Sequence, residues 1–263
     1  MAGAYIPAMT FAQLLWDSVA WDNVSTLVYS DVSIVGFEPQ NAFDWRDFST
    51  FRCVAGTQTV DFTLPSGGTV DTVCAWPVAG ASNGATVQAF WYNGSAWAAL
   101  GPPLTPDGSG NIIWQDFAST VIPAGGKVRF QIVGTGTSDW RQLSVGPKMI
   151  FPIGQWSGVS PPQLYQGVVL ENVMSVNGSI LGRNVRRLEK KGVLSLNYLQ
   201  PDWIRNVWNP FTINAARRPF WWRWNPAEYP QEVAFAAASE IQPPTNDRPA
   251  PMMKVDMPIL FLT

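Results

Sequence analysis

The stretch Thr86 to Leu100, T-V-Q-A-F-W-Y-N-G-S-A-W-A-A-L, constrains the fold more than any other part of the chain. Val87, Ala89 and Trp91 fall on one side of an extended backbone, and Gln88, Phe90 and Tyr92 fall on the other. Asn93-Gly94 is the dipeptide that supplies positive φ to a two-residue hairpin turn, and Trp97 begins the return. A second passage, Lys127 to Gly134, sets Val128, Phe130 and Ile132 against Lys127, Arg129 and Gln131. Further strands are expected at Thr59–Leu64, Val70–Trp76, Asn111–Phe117 and Leu143–Ile150. Gly-, Pro-, Asn- and Ser-rich breaks separate them. Many short strands at close spacing predict an antiparallel, jelly-roll-type sandwich.

The 263 residues suffice for two modest domains or one large β domain. The stretch Gly154 to Pro162, G-Q-W-S-G-V-S-P-P, reads as a linker, because Pro161-Pro162 cannot donate to a sheet ladder. The expected organisation is an N-terminal segment (1–23), a jelly roll (24–153), a linker (154–162) and an assembly domain (163–263). The N-terminal segment holds one helical pattern, capped by Thr10 and carried by Phe11, Leu14 and Leu15. In the last part, Gly192–Leu199 reads as a strand covered on both faces. Trp203, Ile204, Val207 and Trp208 form a helical stripe, and Asn209-Pro210 starts a second short helix. Strands around Phe220–Trp224, Val233–Ile241 and Met253–Leu262 complete a small sheet or open barrel. The predicted class is mainly β, with that single helical region.

Charge follows the same division. Residues 1–160 carry 6 basic and 11 acidic side chains, and residues 161–263 carry 11 basic and 8 acidic. Charged residues make up only 14% of the chain, against about 25% in a typical domain. So neutral a surface favours a subunit of a permanent assembly over a free monomer.

The chain has no histidine, and so lacks the commonest general base and metal ligand. Cys53 and Cys74 cannot build a zinc site alone, and they are expected as buried thiols rather than a disulfide. No nucleophile elbow, phosphate loop or dinucleotide fingerprint occurs. Asp44, Asp47 and Asp116 are the carboxylates that a glycosidase reading would use. No catalytic residue, cofactor or metal is predicted. There is no leader-like start and no apolar run of about 20 residues, so a soluble protein made in a cytoplasm is expected, without membrane insertion.

Two surface features remain. Among the 14 tryptophans, Trp45, Trp97 and Trp140 occupy expected loop or rim positions, where an indole can stack on a sugar. Arg183, Arg186, Arg187, Lys190 and Lys191 form a basic strand. With no interleaved aromatics and a net charge of −2, sequence-specific nucleic-acid binding is not expected. Together with Phe220, Trp221, Trp222 and Trp224, these residues have the composition of a subunit interface.

Five passages resemble the discoidin, or coagulation-factor-5/8, jelly roll: Phe37 to Phe43 (F-E-P-Q-N-A-F), Thr59 to Leu64 (T-V-D-F-T-L), the Val87–Leu100 hairpin, Lys127 to Gly134 (K-V-R-F-Q-I-V-G), and Leu143 to Pro152 (L-S-V-G-P-K-M-I-F-P). Three later passages resemble bacteriophage tail-tube and distal-tail proteins, although those place the ring-forming domain first. They are Gly178 to Arg183 (G-S-I-L-G-R), Pro219 to Pro226 (P-F-W-W-R-W-N-P) and Met253–Leu262. The resemblance implies a non-enzymatic virion protein of a phage tail or baseplate, assembled in the host bacterial cytoplasm. It would form a ring with itself, sixfold by analogy, and dock other tail proteins through the jelly roll. The alternative is a carbohydrate-binding or receptor-binding module that recognises a surface glycan.

Overall fold

The computed structural model describes residues 11–80, 84–153, 167–246 and 252–262; for 167–170 and 185–189 only the backbone is described. The described residues open with β1 (Gln13–Leu15), helix α1 (Val19–Asp22) and β2 (Val28–Tyr29). Then follow β3 (Phe51–Cys53), β4 (Gly56–Leu64), β5 (Gly68–Pro77), β6 (Thr86–Tyr92), β7 (Trp97–Ala99), β8 (Ile113–Ile122), β9 (Gly126–Gly134), β10 (Ser138–Gly146) and β11 (Lys148–Ile150). The remainder is β12 (Gly167–Met174), β13 (Ile180–Glu189), β14 (Lys191–Leu199), the helical run from α2 (Pro201–Trp203) to α3 (Asn209–Ala215), β15 (Phe220–Arg223), β16 (Val233–Ala238), β17 (Thr245–Asn246) and β18 (Met253–Phe261).

Two antiparallel sheets make the sandwich, one in the order β2-β4-β9-β6-β7 and the other β3-β10-β5-β8. Their alternating apolar residues meet inside. Phe43, Phe62 and Phe130 pack edge-on or tilted at 4.7 to 6.4 Å between ring centroids. The four-stranded sheet is covered on its other face too, since β5 and β10 are buried along nearly their whole length. Its cover is a third, open sheet in the order β11-β1-β15-β16-β18-β14, with β17 pairing β18. Trp76 meets Phe235 at 5.7 Å across this boundary, and the Trp221 indole donates to Ser144 Oγ at 2.7 Å. The helical run closes the far side of the third sheet, where Phe211 packs on Phe220 at 5.1 Å.

The third sheet therefore stands between two cores, and strand alternation assigns each side chain to one of them. Trp221, Val233 and Phe235 enter the sandwich-side core. Phe220, Trp222, Ala234 and Ala236 enter the helix-side core. This geometry corrects the N-terminal expectation. Leu14 and Leu15 are adjacent and both fully buried, Leu15 on the sandwich side and Leu14 on the helix side. Only an extended backbone sends neighbours to opposite sides, so the segment forms β1 and the helix is confined to Val19–Asp22.

The expected strand Leu143–Ile150 is divided. Pro147 falls between β10, which stays in the sandwich, and β11, which crosses to pair with β1. Gly146 is required at this crossing, because a Cβ there would collide with the Asp17 carbonyl. The Asn93-Gly94 hairpin also differs from expectation: Tyr92 pairs with Trp97 across a four-residue loop. Asn93 Oδ1 ties that loop by accepting from the amides of Ser95 and Ala96, and Gly94 takes φ 98°. β14 is covered on one face only, with Leu194 and Leu196 buried while Val193 and Tyr198 are exposed, because the helical run reaches one side of this edge strand. The two expected C-terminal helices are one run joined by a π turn, Ile204–Trp208. Pro210 has no N–H for the preceding turn, and the wider turn accommodates its ring.

The expected linker 154–162 lies outside the described residues. Strand pairing nevertheless spans it, since β1 and β11 precede it and complete a sheet built mostly from residues that follow it.

Candidate functional site

The three tryptophans singled out from the sequence meet different fates. Trp140 is fully buried on β10 and donates to Ser138 Oγ at 3.1 Å, so it has no face to offer a ligand. Trp97 lies on the outer face of the five-stranded sheet. It packs against Tyr92 at 5.5 Å and carries the Arg129 guanidinium 4.0 Å from its ring centroid. Arg129 is itself held by both oxygens of Asp61 at 2.7 Å. The ring face of Trp97 toward Arg129 is thus already occupied, and the group reads as a structural cross-strand cluster.

Trp45 is different. It sits in the connection between β2 and β3, which also exposes Val32, Val35 and Phe48. That loop is fixed from below by several side chains. Gln142 Nε2 donates to Arg46 O at 2.8 Å and to Asp44 Oδ1 at 3.3 Å. Ser49 Oγ donates to Asp44 Oδ1 at 2.8 Å and contacts Arg46 O at 3.2 Å. Asn41 Nδ2 donates to Gly36 O and Thr50 O. Within this frame Trp45 adopts φ 53°, a left-handed conformation that a bulky residue enters only under constraint. The residue stays 37% exposed, with the Arg218 guanidinium 5.0 Å from the ring centroid and Arg218 paired to Asp22. The arrangement is a rigid aromatic surface flanked by the polar groups of Asp44, Arg46 and Arg218.

Two of the three carboxylates considered for hydrolysis are engaged elsewhere. Asp44 anchors the Trp45 loop. Asp116 accepts from Arg223, from Lys148 Nζ at 3.0 Å and from the Trp114 indole at 3.1 Å. Burial raises its pKa, but the Trp114 hydrogen bond and the Arg223 charge outweigh that and leave it below the usual carboxylate range. Such a group does not serve as a general acid near neutral pH. Cys53 and Cys74 are free and buried, and burial raises both thiols well above their ordinary values. Among the described residues no group of three potential metal ligands occurs, and no helix is long and apolar enough to cross a membrane.

The proposed interface residues are also dispersed. Phe220, Trp221 and Trp222 are fully buried within the subunit and cannot meet a neighbour without opening it. Trp224 is half-buried, stacks on Tyr229 at 5.6 Å and donates to Glu232. Arg183 is exposed and donates to Asn172 Oδ1 at 2.9 Å on the hairpin β12-β13, which forms a sheet of its own. The side chains of Arg186 and Arg187 lie outside the described residues. Lys191 is exposed at the start of β14, and Lys190 lines a cleft against the sandwich. Sequence reasoning did not identify that cleft, whose lining comes from five distant parts of the chain.

No protein family matches the sequence, and no curated protein does. Among solved structures, the chain is similar to chitosan-binding module 1 from a chitosanase/glucanase of Paenibacillus sp. IK-5, with 21% identity over 50% of this chain and 99% of that one, TM-score 0.39. It is also similar to a pectin-binding carbohydrate-binding module (16% identity, 46% of this chain, 88% of that one, TM-score 0.39). A third is the family 32 carbohydrate-binding module of Clostridium perfringens NanJ (13%, 52% and 99%, TM-score 0.39). Likenesses of this size carry no argument about what the chain binds.

Proposed function

We propose that this chain is a non-catalytic recognition module that binds a glycan at the Trp45 loop. The observation that carries the reading is the exposed indole held at positive φ by a loop that Gln142, Ser49 and Asn41 pin from several sides. A pyranose ring has an apolar face that an indole can cover, and its hydroxyls suit planar donors and acceptors at the rim. Preorganisation matters because a ring already fixed loses little rotamer freedom on binding.

The test is titration of a soluble oligosaccharide panel, including chitosan and pectin fragments and galactosides, against wild type and Trp45→Ala. Alanine bears a left-handed backbone penalty as well, so the fold should persist with a nearly unchanged melting temperature. The expected result is at least about a tenfold loss of affinity, equivalent to about 1.4 kcal/mol. Equal binding by Trp45→Ala, or no binding by wild type across the panel, overturns the reading.

A second reading, an assembly subunit of a phage tail or baseplate, is favoured by a separate observation. Among the described residues the hairpin β12-β13 pairs with no other sheet, and it exposes Val173, Met174, Val176, Ile180 and Leu181 around its tip. An isolated two-stranded hairpin is marginal in water, and a neighbouring subunit would cover it. Light scattering separates the two readings: a ring of fixed copy number supports assembly, and a monomer at micromolar concentration removes that support.

A further inference from the structure

The cleft between the sandwich and the third sheet has a volume of about 400 Å³ and a consistent electrostatic character. Its walls include Trp76, Ser109, Asn111, Arg141 and Lys190, with Val233 from the third sheet. Two cations line it and no Asp or Glu does. Asp107 stands in the adjoining loop, where its carboxylate accepts from the amide and hydroxyl of Ser109.

Arg141 is the informative residue. Its guanidinium lies 4.9 Å from the Trp76 ring centroid, and Trp76 is in turn wedged against Phe235. This cation–π contact holds the guanidinium against the indole. Among the described residues Arg141 has no carboxylate partner, whereas Arg52, Arg129 and Arg223 are each paired with an aspartate. A half-buried guanidinium held against an indole, without an acid, is a bidentate donor for a planar anion. The volume falls in the lower part of the roughly 300–1,000 Å³ range of ligand pockets.

We propose that this cleft binds a carboxylate-bearing ligand of about monosaccharide size, with the carboxylate taken by Arg141 and the remaining polar groups facing Asn111. Lys190 adds long-range attraction. The site is separate from the Trp45 loop and does not depend on it.

The probes are glucuronate, galacturonate and acetate, with glucose as the neutral control at matched ionic strength. They are read by the Arg141 side-chain N–H and Trp76 indole N–H signals in NMR spectra of the full chain. Saturable shifts are expected with at least one of the three anions and none with glucose. Arg141→Gln should weaken binding at least about tenfold, Arg141→Lys should retain part of it, and Trp45→Ala should leave it unchanged. Arg141→Gln removes no described hydrogen bond, so its melting temperature serves as the folding control. Equal shifts with glucose, shifts that only follow ionic strength, no saturable shift with any anion, or full binding by a folded Arg141→Gln would each overturn the proposal.

Discussion

Replacing Trp221 with alanine should lower the unfolding free energy by about 4 kcal/mol, within the roughly 3–5 kcal/mol range for removing a buried tryptophan. The ring is fully buried, lies 4.6 Å from Phe235 and spans the boundary between the sandwich and the third sheet. Its indole N–H is also satisfied across that boundary, by Ser144. Trp221→Phe keeps most of the packing and removes the donor, so a smaller loss of about 1–2 kcal/mol is expected. Urea denaturation checks both values. A loss below about 1 kcal/mol in the alanine variant would show that the third sheet contributes little to the stability of the sandwich.

The second large effect concerns charge at the same boundary. Arg223 is buried on β15 and donates to Asp116 on β8 and to Gln13 on β1, tying three strands together. Arg223→Met should cost about 3 kcal/mol. That is the low end for breaking a buried pair, because the Asp116 side chain keeps 34% of its exposure and can recover some hydration. The pH dependence has a definite sign. The folded Asp116 carboxyl is held below its unfolded value, so its contribution is fully present above the unfolded pKa near 4 and disappears as pH falls through the lower, folded value. The stability gap between wild type and Asp116→Asn should therefore be constant from about pH 5 to 8 and shrink below about pH 4. A gap that widened on acidification would contradict this assignment.

The sandwich was legible because its strands carry one buried face each. Val87, Ala89, Val128, Phe130 and Ile132 alternate as written and all point inward. Legibility failed where a strand is buried on both faces. Leu14 and Leu15 occupy two different cores, and side by side they imitate a helical pattern. Trp140 was misplaced at the rim because β10 is buried almost throughout and its register shifts between Trp140 and Gln142, so no alternation marks the inner face. Trp45 could be singled out as a loop aromatic. Its positive φ could not, since the restraint comes from Gln142, which is remote in sequence. The cleft was hidden for the same reason: Trp76, Arg141 and Lys190 become neighbours only through the stacking of the sheets.

The third sheet also sets a timetable for the nascent chain. β1 lies between β11 and β15, and the Gln13–Arg223 contact joins residues 210 apart in sequence. At about 5–20 residues per second, roughly 10–40 s separate the synthesis of these two partners. In the last part of that interval, once β11 has been made, the ribosome holds a chain whose sandwich strands are complete but whose β1 has no β15 to pair with. The edge of β1 that faces β15 must wait with unpaired amides and carbonyls, which is the condition under which strands pair wrongly with other chains. Yield on expression should thus depend on how quickly residues 147–223 follow, a kinetic burden placed at the start of the chain by a sheet finished near its end.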